Sequence, residues 1–152
     1  MMVRAVLFSL LLLTCVAGCD KKNPAESKKI LIICQAQYNL PAVELAAEFK
    51  KKTGVDAEIT IAAESEIRAI LEFNKSIDIL IADDPFLQYV SDKNSLAAVA
   101  EAGFDQQNTP DKPSRRILVI GLSTSKNSMG VMRMVECARR QAPDIFARHG
   151  FE

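Results

Sequence analysis

Residues 30–62 read ILIICQAQYNLPAVELAAEFKKKTGVDAEITIA and contain two strand patterns separated by a helix pattern. Ile30 to Cys34 form a continuous apolar run, which is typical of a strand buried on both faces. Residues 40–53 predict a helix, because apolar residues recur at i, i+3, i+4 and i+7 within them. Residues 57–62 alternate between apolar and polar side chains, which predicts a second strand.

The boundaries of the first helix are marked by familiar terminal residues. Asn39 is the expected N-cap, and Pro41 is tolerated in the first turn, where its missing N–H costs nothing. Gly54 stands where a left-handed residue commonly ends a helix. A strand, a helix and a second strand therefore follow one another closely.

The same alternation continues along the chain. The other predicted elements are strands at residues 78–82 and 117–123 and helices at residues 64–73, 85–92, 128–141 and 143–148. Pro143 is expected to break the last helical region in two. Residues 103–116 carry two prolines and few apolar side chains, so they predict a long loop. The pattern predicts an α/β fold of three α/β/α layers with a mostly parallel sheet of four to five strands.

The amino terminus has the pattern of an export signal. Arg4 precedes about 12 nearly continuous apolar residues, too few for the roughly 20 that span a bilayer. Val16-Ala17-Gly18-Cys19 resembles the bacterial lipobox. We therefore expect a lipoprotein signal peptide at residues 1–18 and lipid on Cys19. The alternative is an ordinary signal peptide with Cys19 incidental.

The polar residues 19–28 are expected to form a lipid-anchored linker before a domain at residues 29–152. The expected location is the bacterial cell envelope, anchored by lipid on the periplasmic or other extracytoplasmic face.

Composition excludes several classes of function. The chain has 152 residues with 19 basic and 19 acidic side chains, so it fits one domain and gives no sign of nucleic-acid binding. A single histidine and the absence of nucleotide-binding or nucleophile motifs predict neither a metal, a cofactor nor an enzyme. Once Cys15 and Cys19 are set aside, Cys34 and Cys137 either pair as a disulfide or are buried as small apolar residues.

Several segments resemble the periplasmic molybdate-type substrate-binding proteins of ABC transporters, which are type II periplasmic binding proteins. The matching segments are Ile30 to Phe49, the following KTGV at 52–55, DILIAD at 78–83, Tyr89 to Leu96, SKN at 125–127 and IFARHGFE at 145–152. They lie in the family's order over nearly the whole predicted domain. The resemblance implies a small oxyanion ligand and an ABC permease as partner.

One large part of the family's pattern is absent. Family members have two lobes, and the excursion to the second takes about 100 residues, whereas here only about 20 separate Leu96 from Ile117. The resemblance therefore implies a periplasmic-binding-protein-like domain with lobe one alone.

The expected ligand site lies at the carboxyl ends of the strands, where two turns lead into helices. In the resembling family each turn carries a serine that donates to the anion. Gln37 takes the first position, and Glu64 or Ser65 the second. The expected ligand-binding residues are Gln37, Tyr38, Asn39 and Ser65. The alternative is that Gln37 and Ser65 only shape a turn and cap a helix.

A lone lobe leaves such a site open to water. We therefore expect the monomer to bind an oxyanion weakly or not at all. A homodimer could supply a second wall. The alternative function is an interaction or sensory lipoprotein that retains the lobe-one scaffold without transport.

Overall fold

The computed structural model describes residues 29–73, 76–93, 95–106 and 114–152. The predicted signal peptide, the lipidation of Cys19 and the linker at 19–28 lie outside the described residues. Within the described ranges, no helix is both long enough and apolar enough to cross a bilayer.

The domain alternates strands and helices. The elements are β1 (Ile30–Cys34), a 3-10 turn (Ala36–Tyr38), α1 (Asn39–Thr53), β2 (Ala57–Ile61), α2 (Glu64–Glu72), β3 (Ile79–Asp83), α3 (Asp84–Asp92), β4 (Leu96–Asp105), β5 (Arg115–Leu122) and α4 (Ser128–Arg148). The strands form one sheet in the order β2-β1-β3-β5-β4. β1 runs parallel to β2 and β3, and β5 runs antiparallel to β3 and β4. Four of the five strands therefore point the same way, which confirms the predicted α/β fold.

Successive side chains of the central strands pack alternately into two apolar cores, one on each face of the sheet. Ile32, Ile79 and Ile81 belong to a core that includes buried residues of α1 and α4. Their neighbours Ile33 and Leu80 belong to a second core with buried residues of α2 and α3. Because the strands are buried on both faces, they carry the continuous apolar runs seen in the sequence. The result is the predicted three-layer arrangement.

Strand β4 was not predicted. The sequence LAAVAEAGFD is rich in alanine, which has low strand propensity, and its last three residues fell within the predicted loop at 103–116. The strand instead forms by antiparallel pairing with β5, in a register that includes Val99 with Ile120 and Ala100 with Val119. Tertiary pairing therefore decides the structure of this segment.

Two predicted features of the helices were wrong. Pro143 does not divide the last helical region, because α4 is continuous from Ser128 to Arg148. Pro143 lies on the exposed side of α4, where water can hydrate the carbonyl that the proline cannot pair with. Asn39 is the first residue of α1 rather than its cap; Tyr38 holds the cap position and makes no side-chain capping bond. Gly54 does end α1, with a left-handed φ of 73°.

Candidate functional site

The carboxyl ends of β1, β2 and β3 meet at one edge of the sheet, which we call the carboxyl edge. Cys34, Ile61 and Asp83 are the last residues of these strands. Because β5 runs in the opposite direction, its first residue, Arg115, also lies at this edge. The turns and helix starts that follow β1 and β2 form the candidate site.

The first turn follows β1 and is a single 3-10 turn that leads directly into α1. Gln35 is extended, and its carbonyl accepts from the Tyr38 N–H at 3.0 Å, which closes the turn. The Gln35 side chain is 9% exposed, and its Oε1 accepts from Nε2 of the exposed Gln37 at 3.4 Å. Two side-chain amides are thus held at the end of β1.

The second turn follows β2 and begins α2. The Ala62 N–H donates to the Cys34 carbonyl at 3.0 Å, which ties the second turn to the end of β1. Glu66 accepts the Ala63 N–H through Oε2 at 2.8 Å, and Glu64 pairs with Arg68 at 2.9 Å. The helix start that could hold an anion is therefore already faced by carboxylates of its own chain.

An open pocket of about 340 Å³ lies between the two turns. Its lining residues are Gln35, Ala36, Gln37, Ile61, Ala62, Ala63, Glu64 and Glu66. Of the four predicted ligand-binding residues, only Gln37 lines this pocket. Asn39 is half-buried in the first turn of α1, and Ser65 is exposed on α2 without lining the pocket.

The structure places Tyr38 in an aromatic cluster rather than in the pocket. Its ring is fully buried, with centroids 5.5 Å from Phe151 and 6.3 Å from Phe146. Gln37 is close to the hydroxyl but makes no hydrogen bond of good geometry with it, and the hydroxyl has no partner among the described residues. Burial raises the pKa of Tyr38 to about 12, so the phenol is neutral at physiological pH.

Two ion pairs stand at the carboxyl edge beside the turns. Asp83 pairs with Arg115 at 2.8 Å, and Asp84 pairs with Arg116 at 2.9 Å. The sequence analysis missed both arginines because it assigned them to a loop. The sequence did carry a signal for these pairs: Asp83 and Asp84 come at the end of one buried strand, and Arg115 and Arg116 come at the start of another. Neighbouring antiparallel strands bring such ends together. The pairs neutralise Asp83 and Asp84 and brace the start of β5.

The described part of the chain shows neither a cluster of metal ligands nor a reactive thiol. Those residues contain no cluster of histidine, cysteine, aspartate or glutamate that could hold a metal ion. Cys34 and Cys137 are both buried and unpaired, so they pack as small apolar residues. Burial raises the pKa of the Cys34 thiol to about 11, which keeps it protonated and unreactive.

His149 and Glu44 form a small polar cluster near the end of α4. The Glu44 carboxylate contacts Arg148, and its Oε2 lies 2.9 Å from Nε2 of His149. These hydrogen bonds hold the pKa of Glu44 below its usual range, with the Arg148 bond the larger cause. The cluster joins α4 to α1, and none of its residues lines the pocket between the turns.

Comparison with known proteins identifies the fold. No protein-family model matches the sequence, and no curated protein matches it. A solved substrate-binding domain of a proposed molybdenum ABC transporter from Clostridium difficile aligns over 82% of this chain and 98% of its own, with a TM-score of 0.66 and 10% identity. Identity this low establishes likeness of fold alone. The chain shares the α/β fold of that substrate-binding domain.

Proposed function

We propose that this protein is an exported lipoprotein that binds a small solute for an ABC importer, through an open half-site at the carboxyl edge. The observation that supports the proposal is the pocket between the turns after β1 and β2. Open α/β sheets bind ligands at this edge, where helix starts present free N–H groups. The likeness of fold to a substrate-binding domain agrees with this role.

The proposed ligand class is a small oxyanion, held by the backbone N–H groups that begin α2 and by the side-chain amides of the first turn. Gln37 is exposed and lines the pocket, and its Nε2 has a second N–H to donate to an anion besides the one given to Gln35. Glu64 and Glu66 oppose this ligand, because both carboxylates line the same pocket. An anion must displace the Glu66 oxygen to reach the Ala63 N–H.

Weak binding by the monomer follows from this geometry. The pocket is open on one side, so water competes for each donor. Charge-assisted hydrogen bonds contribute roughly 1.5–3 kcal/mol each, and a half-site lacks several that an enclosed site would supply. We expect a dissociation constant near the millimolar range rather than the micromolar range.

The proposed location is the extracytoplasmic face of a bacterial membrane, with Cys19 carrying the lipid. An ABC permease is the proposed protein partner, and either the permease or a second copy of the chain would cover the open pocket. Replacement of Cys19 by serine should release the protein from the membrane fraction, because the proposed attachment is covalent lipid on that thiol.

A thermal-shift screen combined with a measurement of mass in solution tests the proposal. Native-state binding stabilises the folded state by RT ln(1 + [L]/Kd), so the melting temperature rises with the logarithm of ligand concentration once the site is mostly filled. Molybdate, tungstate and sulfate at tens of millimolar should each raise the melting temperature of the monomer by a few degrees, whereas sodium chloride at equal ionic strength should not. No specific shift with any oxyanion would contradict the proposed site.

One observation favours the alternative, an interaction or sensory lipoprotein. Three large apolar side chains are half or more exposed near the carboxyl edge: Leu40 at 67%, Val43 at 51% and Ile61 at 50%. A solute pocket does not need them, whereas a docked protein would cover them. Membrane capture of the same protein partner with and without oxyanion, and no thermal shift, would favour this alternative.

A further inference from the structure

The two outermost strands of the sheet, β2 and β4, differ in how their outer sides are protected. The Arg139 guanidinium donates to the Val99 carbonyl of β4 at 3.2 Å, and the Glu152 N–H donates to the Phe104 carbonyl at 3.0 Å. Two register shifts also interrupt β4. Such features keep an outermost strand from pairing with another chain. Among the described residues, β2 pairs only with β1, and its other side has no such cover.

The backbone of β2 presents donors and acceptors on that open side. The Ile30 N–H donates to the Asp56 carbonyl at 2.9 Å, and the Ala62 N–H donates to the Cys34 carbonyl at 3.0 Å. Successive residues of a strand point these groups in opposite directions, so alternate residues from 56 to 62 point theirs at β1. The outward-pointing N–H and carbonyl groups are those of Ala57, Ile59 and Ile61.

A second copy of β2 fits this open side best in one register. A twofold axis perpendicular to the sheet at Ile59 makes the two strands antiparallel, with Ile59 opposite its own copy and Ala57 opposite Ile61. Each of the three pairs exchanges two backbone hydrogen bonds, about six in all. An axis at Glu58 leaves two such pairs and sets the two Glu58 carboxylates opposite each other, and an axis at Thr60 also leaves two.

The side chains in this register are complementary to their own copies. Ala57 and Ile59 pack on the core beneath α1 but remain partly exposed, and Ile61 is half exposed. All three lie on one face of β2, so the pairing covers them with the same apolar residues of the second copy. On the other face, each Glu58 lies opposite Thr60 of the second copy, whose hydroxyl can donate to the carboxylate. The two Glu58 carboxylates are therefore kept apart.

Helix α1 brings another apolar residue to the same side of the domain. Lys50 pairs with Asp56, just before β2, so this side of α1 lies towards β2. Val43 lies on that side too, seven residues before Lys50, and is 51% exposed. Seven helical residues rise about 10.5 Å and three strand residues about 10 Å, so Val43 lies near the level of Ile59. The Val43 side chains of the two copies would therefore face each other across the axis.

We infer that two copies of the chain associate through β2, in the antiparallel register centred on Ile59, and join their two five-stranded sheets into one. The second copy is then the protein that covers Val43 and Ile61. The inference goes beyond the proposed solute binding and does not depend on it. The axis is perpendicular to the sheet, so the two pockets lie at opposite ends of the joined sheet, and a permease would have to cover each one.

The paired surface is small, because β2 has only five residues. Contacts of this size are usually weak, and we expect a dissociation constant on the order of tens of micromolar. The chain should therefore be monomeric at low micromolar concentration and increasingly dimeric above it.

Cysteine cross-linking tests the register directly. In a full chain whose first two cysteines are replaced by serine, the remaining thiols, Cys34 and Cys137, are buried. Ile59→Cys places two thiols opposite each other, with Cα atoms about 5.5 Å apart and within disulfide reach. Ala57→Cys is the matched control on the same face, because the register separates the two residues 57 by four positions, or about 13 Å. Mild oxidation should cross-link Ile59→Cys chains and leave Ala57→Cys chains single.

Sedimentation over a range of concentrations measures the association itself. The mass should rise from monomer towards dimer between about 5 and 200 µM. Val43→Lys and Ile59→Pro should each weaken the association at least about ten-fold, since proline at 59 removes an outward N–H and no bond to β1. Met132→Lys on α4 is the matched control, because Met132 is 53% exposed and lies away from β2. It should leave the association unchanged.

Four results would overturn the inference. The first is a mass that stays monomeric up to about 200 µM, several times the expected constant. The second is equal cross-linking of Ile59→Cys and Ala57→Cys, and the third is a dimer that both Val43→Lys and Ile59→Pro leave intact. The fourth is a mass that grows beyond the dimer, because a twofold contact uses the open side of β2 in both copies. Each of these results leaves the solute site to its own test by oxyanion binding.

Discussion

Glu66 controls the candidate site at the scale of a single residue. Its carboxylate accepts the Ala63 N–H at 2.8 Å and so occupies a donor at the start of α2. The same bond orders the helix start, which explains why the residue suits the fold while opposing an anion. Gln37, by contrast, contributes an exposed amide to the pocket without opposing charge.

Replacement of Glu66 by glutamine should therefore tighten oxyanion binding. The amide oxygen can still accept from Ala63, but the negative charge is gone, and we expect about a two- to five-fold lower dissociation constant for molybdate. Chemical-shift titration measures the change. The matched control is Glu72→Gln at the other end of α2, which should leave the constant unaltered. Unchanged or weaker binding by Glu66→Gln would show that the carboxylate does not compete with the ligand.

Tyr38 gives a second prediction at this scale. Replacing it with phenylalanine keeps the aromatic packing and removes a buried hydroxyl that lacks a partner, so the free energy of unfolding should rise by about 1 kcal/mol at pH 7. The folded pKa is about 12 and the unfolded value about 10, so the folded state retains the proton between them. Stability is therefore lost as pH rises from about 10 to 12, and Tyr38→Phe should lose less over that window.

Urea unfolding at pH 7 and above pH 10 measures both effects. The Cys34 thiol, whose folded pKa is about 11, also lowers the free energy of unfolding at high pH. Its effect is the same in both proteins, so it cancels in the comparison. A Tyr38→Phe variant that is less stable by more than about 1 kcal/mol would show that the hydroxyl makes a favourable bond.

At the scale of elements, α4 packs closely on the sheet at Gly121. A Cβ on Gly121 would lie 2.6 Å from Cγ1 of Val131 and 3.0 Å from Cγ2 of Val135. Gly121→Ala should therefore destabilise the domain by about 1–3 kcal/mol through overpacking. Adding Val131→Ala should make room, so the double variant should lose at least about 1 kcal/mol less than the sum of the single variants.

A second glycine provides the control in the same unfolding experiment. Gly54 has open space around it but a φ of 73°, so Gly54→Ala is strained by its backbone and not by contact. Val131→Ala should not reduce the loss of stability that Gly54→Ala causes. Additive losses for Gly121→Ala with Val131→Ala would contradict the proposed close contact.

The sequence predicted those elements whose signal is local. β1 and β3 carry continuous apolar runs, and α1 ends at a glycine in the expected position, so their structure follows from burial and helix termination. β4 has no comparable signal, because alanine has low strand propensity and only the pairing of this segment with β5 makes it a strand. The continuity of α4 through Pro143 depends on which side of the helix faces water, which a sequence motif does not give.

The candidate site was predicted only in part for the same reason. Its position at the ends of β1 and β2 follows from the order of strands and helices, and Gln37 lies where that reasoning put it. Tyr38 follows directly in the chain but turns into the core, because successive side chains of a 3-10 turn point about 120° apart. Arg115 and Arg116 reach the edge only through the antiparallel pairing of β5 with β3.

At the scale of the whole molecule, the two edges of the sheet differ in chemistry although the chain's charges balance at 19 and 19. The carboxyl edge presents a pocket with Glu64 and Glu66. The opposite edge, where β1, β2 and β3 begin, presents Lys50 to Lys52 beside exposed methionines. The proposed anion site therefore lies at an edge that presents carboxylates, which agrees with the weak binding proposed above.

Titration of the amide signals of the monomer with molybdate, at constant ionic strength, tests the open half-site most directly. The predicted result is saturable movement of the Gln37, Ala63 and Glu64 amides with a dissociation constant near the millimolar range. Unmoved amides at these two turns up to 50 mM ligand, roughly fifty times a millimolar constant, would contradict the site, and a micromolar constant would contradict its openness.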